Sequence, residues 1–177
     1  MRLEGEAWSR YFRDFTASAF RLELRQVYTM PGEADELRRF RAGERPPTDY
    51  HYGWLDTLAA ARQAGKTMRR VRVVERPLTD YTRYEFSWGF AYNVEAGEDI
   101  RILDVTGRPA SHLPDHDFWL FDDSAVVKLL YRPDGTQIGR ELVEAPDLGA
   151  YLSWRDATWA DAVPFRDYWQ DTLVSRV

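Results

Sequence analysis

Two places in this 177-residue chain gather side chains able to do chemistry. The first is the run His112-Leu113-Pro114-Asp115-His116-Asp117-Phe118-Trp119-Leu120-Phe121-Asp122-Asp123-Ser124, which holds two of the three histidines. His116 could act as a nucleophile or base, with Asp123 seven residues on as its acidic companion. The plainer reading is structural: His116 caps or hydrogen-bonds a hairpin, and Asp123 makes an Asx-type turn. The second place is Arg76 to Glu85. Open α/β sheets bind ligands beyond the carboxyl ends of their strands, and helix N-termini there favour anions. Arg76, Asp80, Tyr81, Arg83, Tyr84 and Glu85 fall at such an edge, with Trp119, His116 and Asp104 expected to approach from neighbouring strands. This surface is predicted to receive a small anionic ligand or a partner segment. Its plainer reading is a core stripe of Tyr81, Tyr84 and Trp88, spaced i, i+3, i+7. Six aromatics in the twelve residues 81–92 cannot all face one side, so some are expected to be exposed or covered by a partner.

The elements that must position these groups are read from periodicity. Trp8, Tyr11, Phe12 and Phe15 mark a short amphipathic helix. Strands are predicted near 20–28, 68–75, 99–105, 117–121, 125–131 and 137–144, the first with Phe20, Leu22 and Leu24 alternating against Arg21, Glu23 and Arg25. Helices are predicted over 33–41, 49–64 and 80–93, and again after Pro146, where Leu148, Tyr151, Leu152, Arg155 (by its stem), Trp159 and Ala162 share a face. Gly65 stops the second of these helices and leads at once into the 68–75 strand, as in half of a βαβ unit. Asp122-Asp123-Ser124 and Pro133-Asp134-Gly135-Thr136 are hairpin turns.

Composition removes several function classes. The chain has no cysteine, which excludes disulfides and thiolate metal sites. His51, His112 and His116 match no metal-ligand spacing, so neither a metal nor a cofactor is expected. No apolar run approaches the roughly 18 residues that span a bilayer, and Met1–Glu6 carry no signal-peptide core, so the expectation is a cytoplasmic protein without a membrane partner. A net charge of −5 argues against direct nucleic-acid binding. Arg69, Arg70 and Arg72, with Arg38, Arg39 and Arg41, then read as solvated surface. Seven tryptophans and an aromatic content of 15% exceed the needs of an ordinary core and suggest a lined groove or interface.

The order strand, helix, strand, helix, strand, hairpin, strand, helix over about residues 17–163 resembles one half of a phospholipase-D-like domain. That superfamily carries H-x-K-x-x-x-x-D at a strand hairpin. His116 and Asp123 fall at the first and last positions, Phe118 stands at the lysine position, and Leu129-Leu130-Tyr131-Arg132 replaces the small-residue and asparagine element. Phe118 cannot stabilise charge on phosphoryl oxygens, a loss on the order of 10² to 10³ in rate. The resemblance also implies two facing histidines and so a homodimer.

The chain resembles more closely an uncharacterised actinobacterial family of domains of unknown function. The runs that carry this likeness are Arg69–Val74, Leu78–Tyr81, Arg83–Phe86, Asn93–Arg101 and Asp117–Asp122, and it covers nearly the whole chain. Members are typically encoded beside helix-turn-helix regulators, which implies a partner of that kind and supplies no activity. The expected fold is therefore α/β, a mixed β-sheet flanked by helices and a single phospholipase-D-like half. One domain is expected over 1–177, with an N-terminal helical segment (1–16), an α/β core (17–163) and an aromatic C-terminal tail (164–177). The expected function is a non-enzymatic regulatory module that binds a ligand or partner. The alternative is a degenerate phosphodiesterase or phosphate-processing enzyme using His116.

Overall fold

The computed structural model describes residues 1–109 and 112–174. Among these residues, seven strands form one mixed sheet: β1 (Ser18–Glu23), β2 (Thr67–Val74), β3 (Glu98–Asp104), β4 (Asp117–Phe121), β5 (Ala125–Tyr131), β6 (Gln137–Leu142) and β7 (Val163–Pro164). Their spatial order is β6-β5-β4-β1-β2-β3-β7. β1, β2 and β3 run parallel, as their helical crossovers require. β4 then lies antiparallel on β1, and β5 and β6 follow as hairpins. The fold is thus α/β with a mixed sheet.

The helices are α1 (Gly5–Asp14), α2 (Ala34–Arg41), α3 (Gly53–Gln63), α4 (Asp80–Tyr84), α5 (Ala91–Ala96), α6 (Leu148–Asp161) and α7 (Phe165–Val174), with a π-helical segment, Glu85–Phe90, joining α4 to α5. Strand alternation gives each face of the sheet its own helices. Phe20, Leu22, Val71, Val73, Phe118 and Leu120 pack against Leu148, Tyr151 and Leu152 of α6. Ala19, Met68, Trp119 and Phe121 pack against Trp8 and Phe12 of α1 and Trp54 and Leu58 of α3. No described helix is long and apolar enough to cross a membrane.

The hairpin from β4 to β5 is tight because Asp122 and Asp123 both take positive φ, 48° and 53°. That pair of angles defines the type I′ turn whose twist matches its strands. Asp122 also accepts the backbone N–H groups of Thr16 and Ala17, each at 2.7 Å, and of Ser18 at 3.0 Å. The turn therefore fastens the entry to β1.

Four segments depart from the sequence reading. The strand expected over 20–28 leaves the sheet after Glu23, because the Asp117 carboxylate takes the Leu24 N–H at 2.9 Å. The helix expected from 49 begins at Gly53, and Tyr50 and Tyr52 sit in the loop before it. Five of the six aromatics of 81–92 are buried by the chain itself, and Tyr92 is half-buried. Tyr81, Tyr84 and Trp88 pack with Leu37 and Phe40 of α2, while Phe86 and Phe90 pack with Phe165 and Tyr168 of α7. A helix clamped between two others is apolar on both sides. Finally, the expected tail is structured: Val163–Pro164 pair with β3, and residues 165–174 form α7. The last tail residues, 175–177, lie outside the described residues.

Candidate functional site

The site grows from one face of the sheet. On β1, Arg21 and Glu23 share the face of Ala19, and on β2 Arg70 and Arg72 share that of Met68, with Arg21 beside Arg70 and Glu23 beside Arg72. Helices cover this face, so the charges are buried: Glu23 is 2% exposed, Arg70 6% and Arg72 0%. The expectation of solvated arginines at 70 and 72 is therefore corrected. Buried charges must pair, and they do so across strands. Arg70 donates from Nε to Glu98 at 2.8 Å and from Nη1 to Glu23 at 3.0 Å. Arg21 Nη2 lies 2.8 Å from the same Glu23 oxygen, and Arg72 Nη2 lies 3.1 Å from Glu85.

Burial by itself would push the Glu23 carboxyl up, but Arg21, Arg70 and Arg72 overcome this and hold it at about 2. Burial likewise opposes the charged form of Arg70, and Glu23 and Glu98 hold it above the ordinary arginine range. At Glu85 burial wins over Arg72, and its carboxyl is pushed up to about 7. Two buried polar atoms here, Glu23 Oε2 and Arg21 Nε, have no hydrogen-bond partner. Arg72 Nε lies 4.0 Å from Glu23 Oε2.

Above this charged floor lies a half-enclosed cleft of about 410 Å³. Its walls are aromatic: Trp8 and Phe12 from α1, Tyr50, Tyr52 and Trp54 from the entry to α3, Tyr81 and Tyr84 from α4, and Tyr28 and Tyr131 at the β5 end. Trp119 is on the floor, with Arg21 over its ring at 5.6 Å. The π-helical segment contributes Glu85, Gly89 and Phe90. Such segments recur at functional sites because the widened turn re-aims side chains. Glu33 and Glu36 complete the wall next to α2. Glu33 accepts from the Tyr81 hydroxyl at 2.7 Å, and Glu36 from Tyr50 at 2.7 Å and Tyr84 at 2.6 Å. Burial, reinforced by these carboxylates, pushes the three phenols up, so they stay protonated donors. Burial also raises the Glu33 carboxyl.

The cleft brings together four of the residues named from sequence: Tyr81, Tyr84, Glu85 and Trp119. It leaves out the others. Arg76, in the bend between β2 and α4, donates instead to Asp104 at 3.0 Å and to Thr172 at 2.9 Å. Asp80 faces Arg41 at 3.5 Å, and Arg83 donates to the Leu78 carbonyl at 3.0 Å. His116 lies on the other face of the sheet from Trp119. There its Nε2 meets the Tyr151 hydroxyl at 3.0 Å and its Nδ1 meets Asp115 at 2.6 Å. His116 and Asp123 flank opposite ends of the five-residue strand β4, roughly 16 Å of extended chain, and Asp123 pairs with Arg155. The structure does not bring the two into one reaction centre. Among the described residues no group of three or more His, Asp or Glu side chains is arranged to hold a metal ion.

Sequence reasoning missed Arg21, Glu23, Tyr28, Glu33, Glu36, Tyr50, Tyr52, Trp54 and Arg70. One signal was present. Three strands that pair in parallel need helices over both faces, so alternating Arg and Glu on neighbouring strands had to pair inside rather than face water.

Residues 6–170 match a family described as a domain of unknown function, DUF6879, and the chain belongs to that family. No curated protein matches. Among solved structures the chain is similar to a phospholipase D family member, Nuc from Salmonella typhimurium, with a TM-score of 0.49 and 10% identity. That likeness covers 90% of this chain and 91% of the other.

Proposed function

We propose that this DUF6879 member is a ligand-binding regulatory module whose site is the aromatic cleft over the charged face of the sheet. One observation carries the reading. A cleft of about 410 Å³, walled by aromatic rings over a few fixed charges, has the size and make-up of a small-molecule site. The charged floor is read as a binding feature, since apolar packing of the same volume would stabilise the fold as well or better. The ligand's presence is reported to a DNA-binding regulator, the partner class implied by the resemblance in the sequence runs quoted above.

Gly89 provides the test. A Cβ added there would meet only the Tyr52 hydroxyl, at 3.9 Å, so a leucine side chain enters the cleft without a clash at its root. The wild-type protein, screened against a small-molecule library by thermal shift, is expected to gain about 2–4 °C for each kcal/mol of ligand stabilisation. Gly89→Leu is expected to keep its unliganded melting temperature and lose the gain. A variant that still responds to the same compounds would place the site elsewhere. The same pair, tagged and recovered from the host, reads the partner: a helix-turn-helix protein retained with one and not the other ties the cleft to regulation.

A further inference from the structure

The walls of the cleft differ in how completely their charges are matched. On the floor, Arg70 is bound by Glu23 and Glu98, and Arg21 by Glu23. Arg140 donates to Gln137 at 2.8 Å and sits over the Trp8 ring. On the α2 side the carboxylates have no such partners. Among the described residues neither Glu33 nor Glu36 makes an ion pair, and tyrosine hydroxyls are their only hydrogen-bond donors, each reaching one oxygen of the carboxylate. With the pairs closed inside the structure set aside (Arg21 and Arg70 with Glu23 and Glu98, Arg72 with Glu85), the lining leaves two carboxylates, Glu33 and Glu36, against one guanidinium, Arg140. Beneath them Glu23, 2% exposed, still has one oxygen with no hydrogen-bond donor. A half-buried carboxylate held against aromatic rings without a cation is a costly arrangement unless something else supplies the positive charge.

Resting on the ligand-binding reading above, we infer that the ligand is a small organic cation. Its protonated amine is received by Glu33 and Glu36, and its apolar body lies against the tyrosine and tryptophan rings. The chemistry is complementary on three counts. An ammonium group donates hydrogen bonds to the free carboxylate oxygens and is attracted by the ring faces of Tyr and Trp. It brings the two-to-one imbalance to parity. An anionic ligand would instead meet the carboxylates of the α2 wall, and among the lining guanidiniums only Arg140 is without an ion pair to receive it. The helix N-terminus that suggested an anion is closed, with Thr79 accepting the Thr82 N–H at 3.1 Å and the Asp80 carboxylate beside it.

The test is a matched series on one carbon skeleton: 2-phenylethylamine, 2-phenylethanol and 3-phenylpropanoate, titrated against the full chain by tryptophan fluorescence and calorimetry. The amine is expected to bind at least ~10-fold more tightly than the alcohol, the scale of one charge-assisted hydrogen bond, and the carboxylate not at all. In Glu33→Gln/Glu36→Gln the amide oxygens still accept from the tyrosines. There the amine is expected to fall to within about 2-fold of the alcohol while the alcohol is unchanged. The single substitutions serve the same comparison should the double variant not fold. An alcohol or carboxylate that binds wild type as tightly as the amine, or an amine indifferent to the double substitution, overturns the cation and leaves the cleft as a ligand site. If no member of the series binds at millimolar concentration and the library also finds nothing sensitive to Gly89→Leu, both readings fall together.

Discussion

Replacing Arg70 by methionine isolates the charged floor as an energetic unit. The guanidinium bridges two strands at once, 2.8 Å from Glu98 on β3 and 3.0 Å from Glu23 on β1. Methionine fills similar space but leaves two carboxylates, each 2% exposed, without the cation they share. Glu23 keeps Arg21, whereas Glu98 keeps only the Trp54 indole, at 3.4 Å. Breaking a buried pair by removing one partner costs about 3–5 kcal/mol. At about 2–4 °C per kcal/mol for a chain of this size, the melting temperature should fall by roughly 6–20 °C. Arg70→Met/Glu98→Gln should be markedly less damaged than the sum of its two single changes, because the second removes the charge that the first leaves unpaired. The assay is urea unfolding followed by circular dichroism and tryptophan fluorescence, repeated from pH 8 to pH 3. The Glu23 carboxyl sits at about 2, below its ordinary 4.5. It therefore contributes stability that is full above 4.5 and is lost as pH falls towards 2, on the order of 3 kcal/mol in all. Arg70→Met should flatten that acid limb. A loss within about 1 kcal/mol, or strict additivity in the double variant, would refute the claim that the floor acts as a coupled charge unit.

Asp122→Ala removes the acceptor for three backbone amides at the entry to β1 and places alanine at φ 48°. The expected loss is about 2–4 kcal/mol in urea unfolding, with Asp122→Asn recovering part of it. Gly135→Ala combines φ +87° with a Cβ 2.6 Å from the Val27 carbonyl oxygen. It should cost about 2 kcal/mol or more and speed hydrogen exchange over residues 27–29, which lie against that turn. His116→Ala removes the contact with Tyr151 on the sheet face away from the cleft. Stability should drop by about 1 kcal/mol, read by thermal melting, while cleft-ligand affinity stays unchanged.

Most of the sheet could be read from alternation. The segments 117–121 and 125–131 have the bounds expected, and the paired aspartates at 122 and 123 announce their turn. Alternation separates two sets of residues on a strand, but it does not say which set is covered. Arg70 and Arg72 look the same in sequence whether water or Glu23, Glu98 and Glu85 receives them. Their burial depends on helices that arrive from elsewhere in the chain. Tyr50 and Tyr52 fall inside the helix expected over 49–64, yet the Tyr52 hydroxyl donates to the Gly89 carbonyl, at 3.3 Å, and to Asn93, a tertiary preference that overrides local helix propensity. The C-terminal segment was missed because its own pattern is short. It becomes a helix against Phe86, which supplies the apolar surface it lacks alone. Tyr81, Tyr84, Glu85 and Trp119, singled out in the sequence, line the cleft, while Glu33 and Glu36 sit at an acidic helix start that gives no sign of facing rings.

The seam between β1 and β4 has a consequence for how the molecule is made. It pairs residues 19–22 with 118–121, so among the described strands the middle of the sheet is also the longest-range pairing. A chain emerging in order makes β1 about a hundred residues before β4, and the free edge of β1 stays open while β2 and β3 are laid on its other side. An unpaired central edge invites association with other chains. Late closure between distant segments is also the slow step of sheet assembly. The alternating charges at Arg21 and Glu23 keep that waiting edge unattractive to apolar strands, so the side chains that later floor the cleft first guard the nascent protein against aggregation.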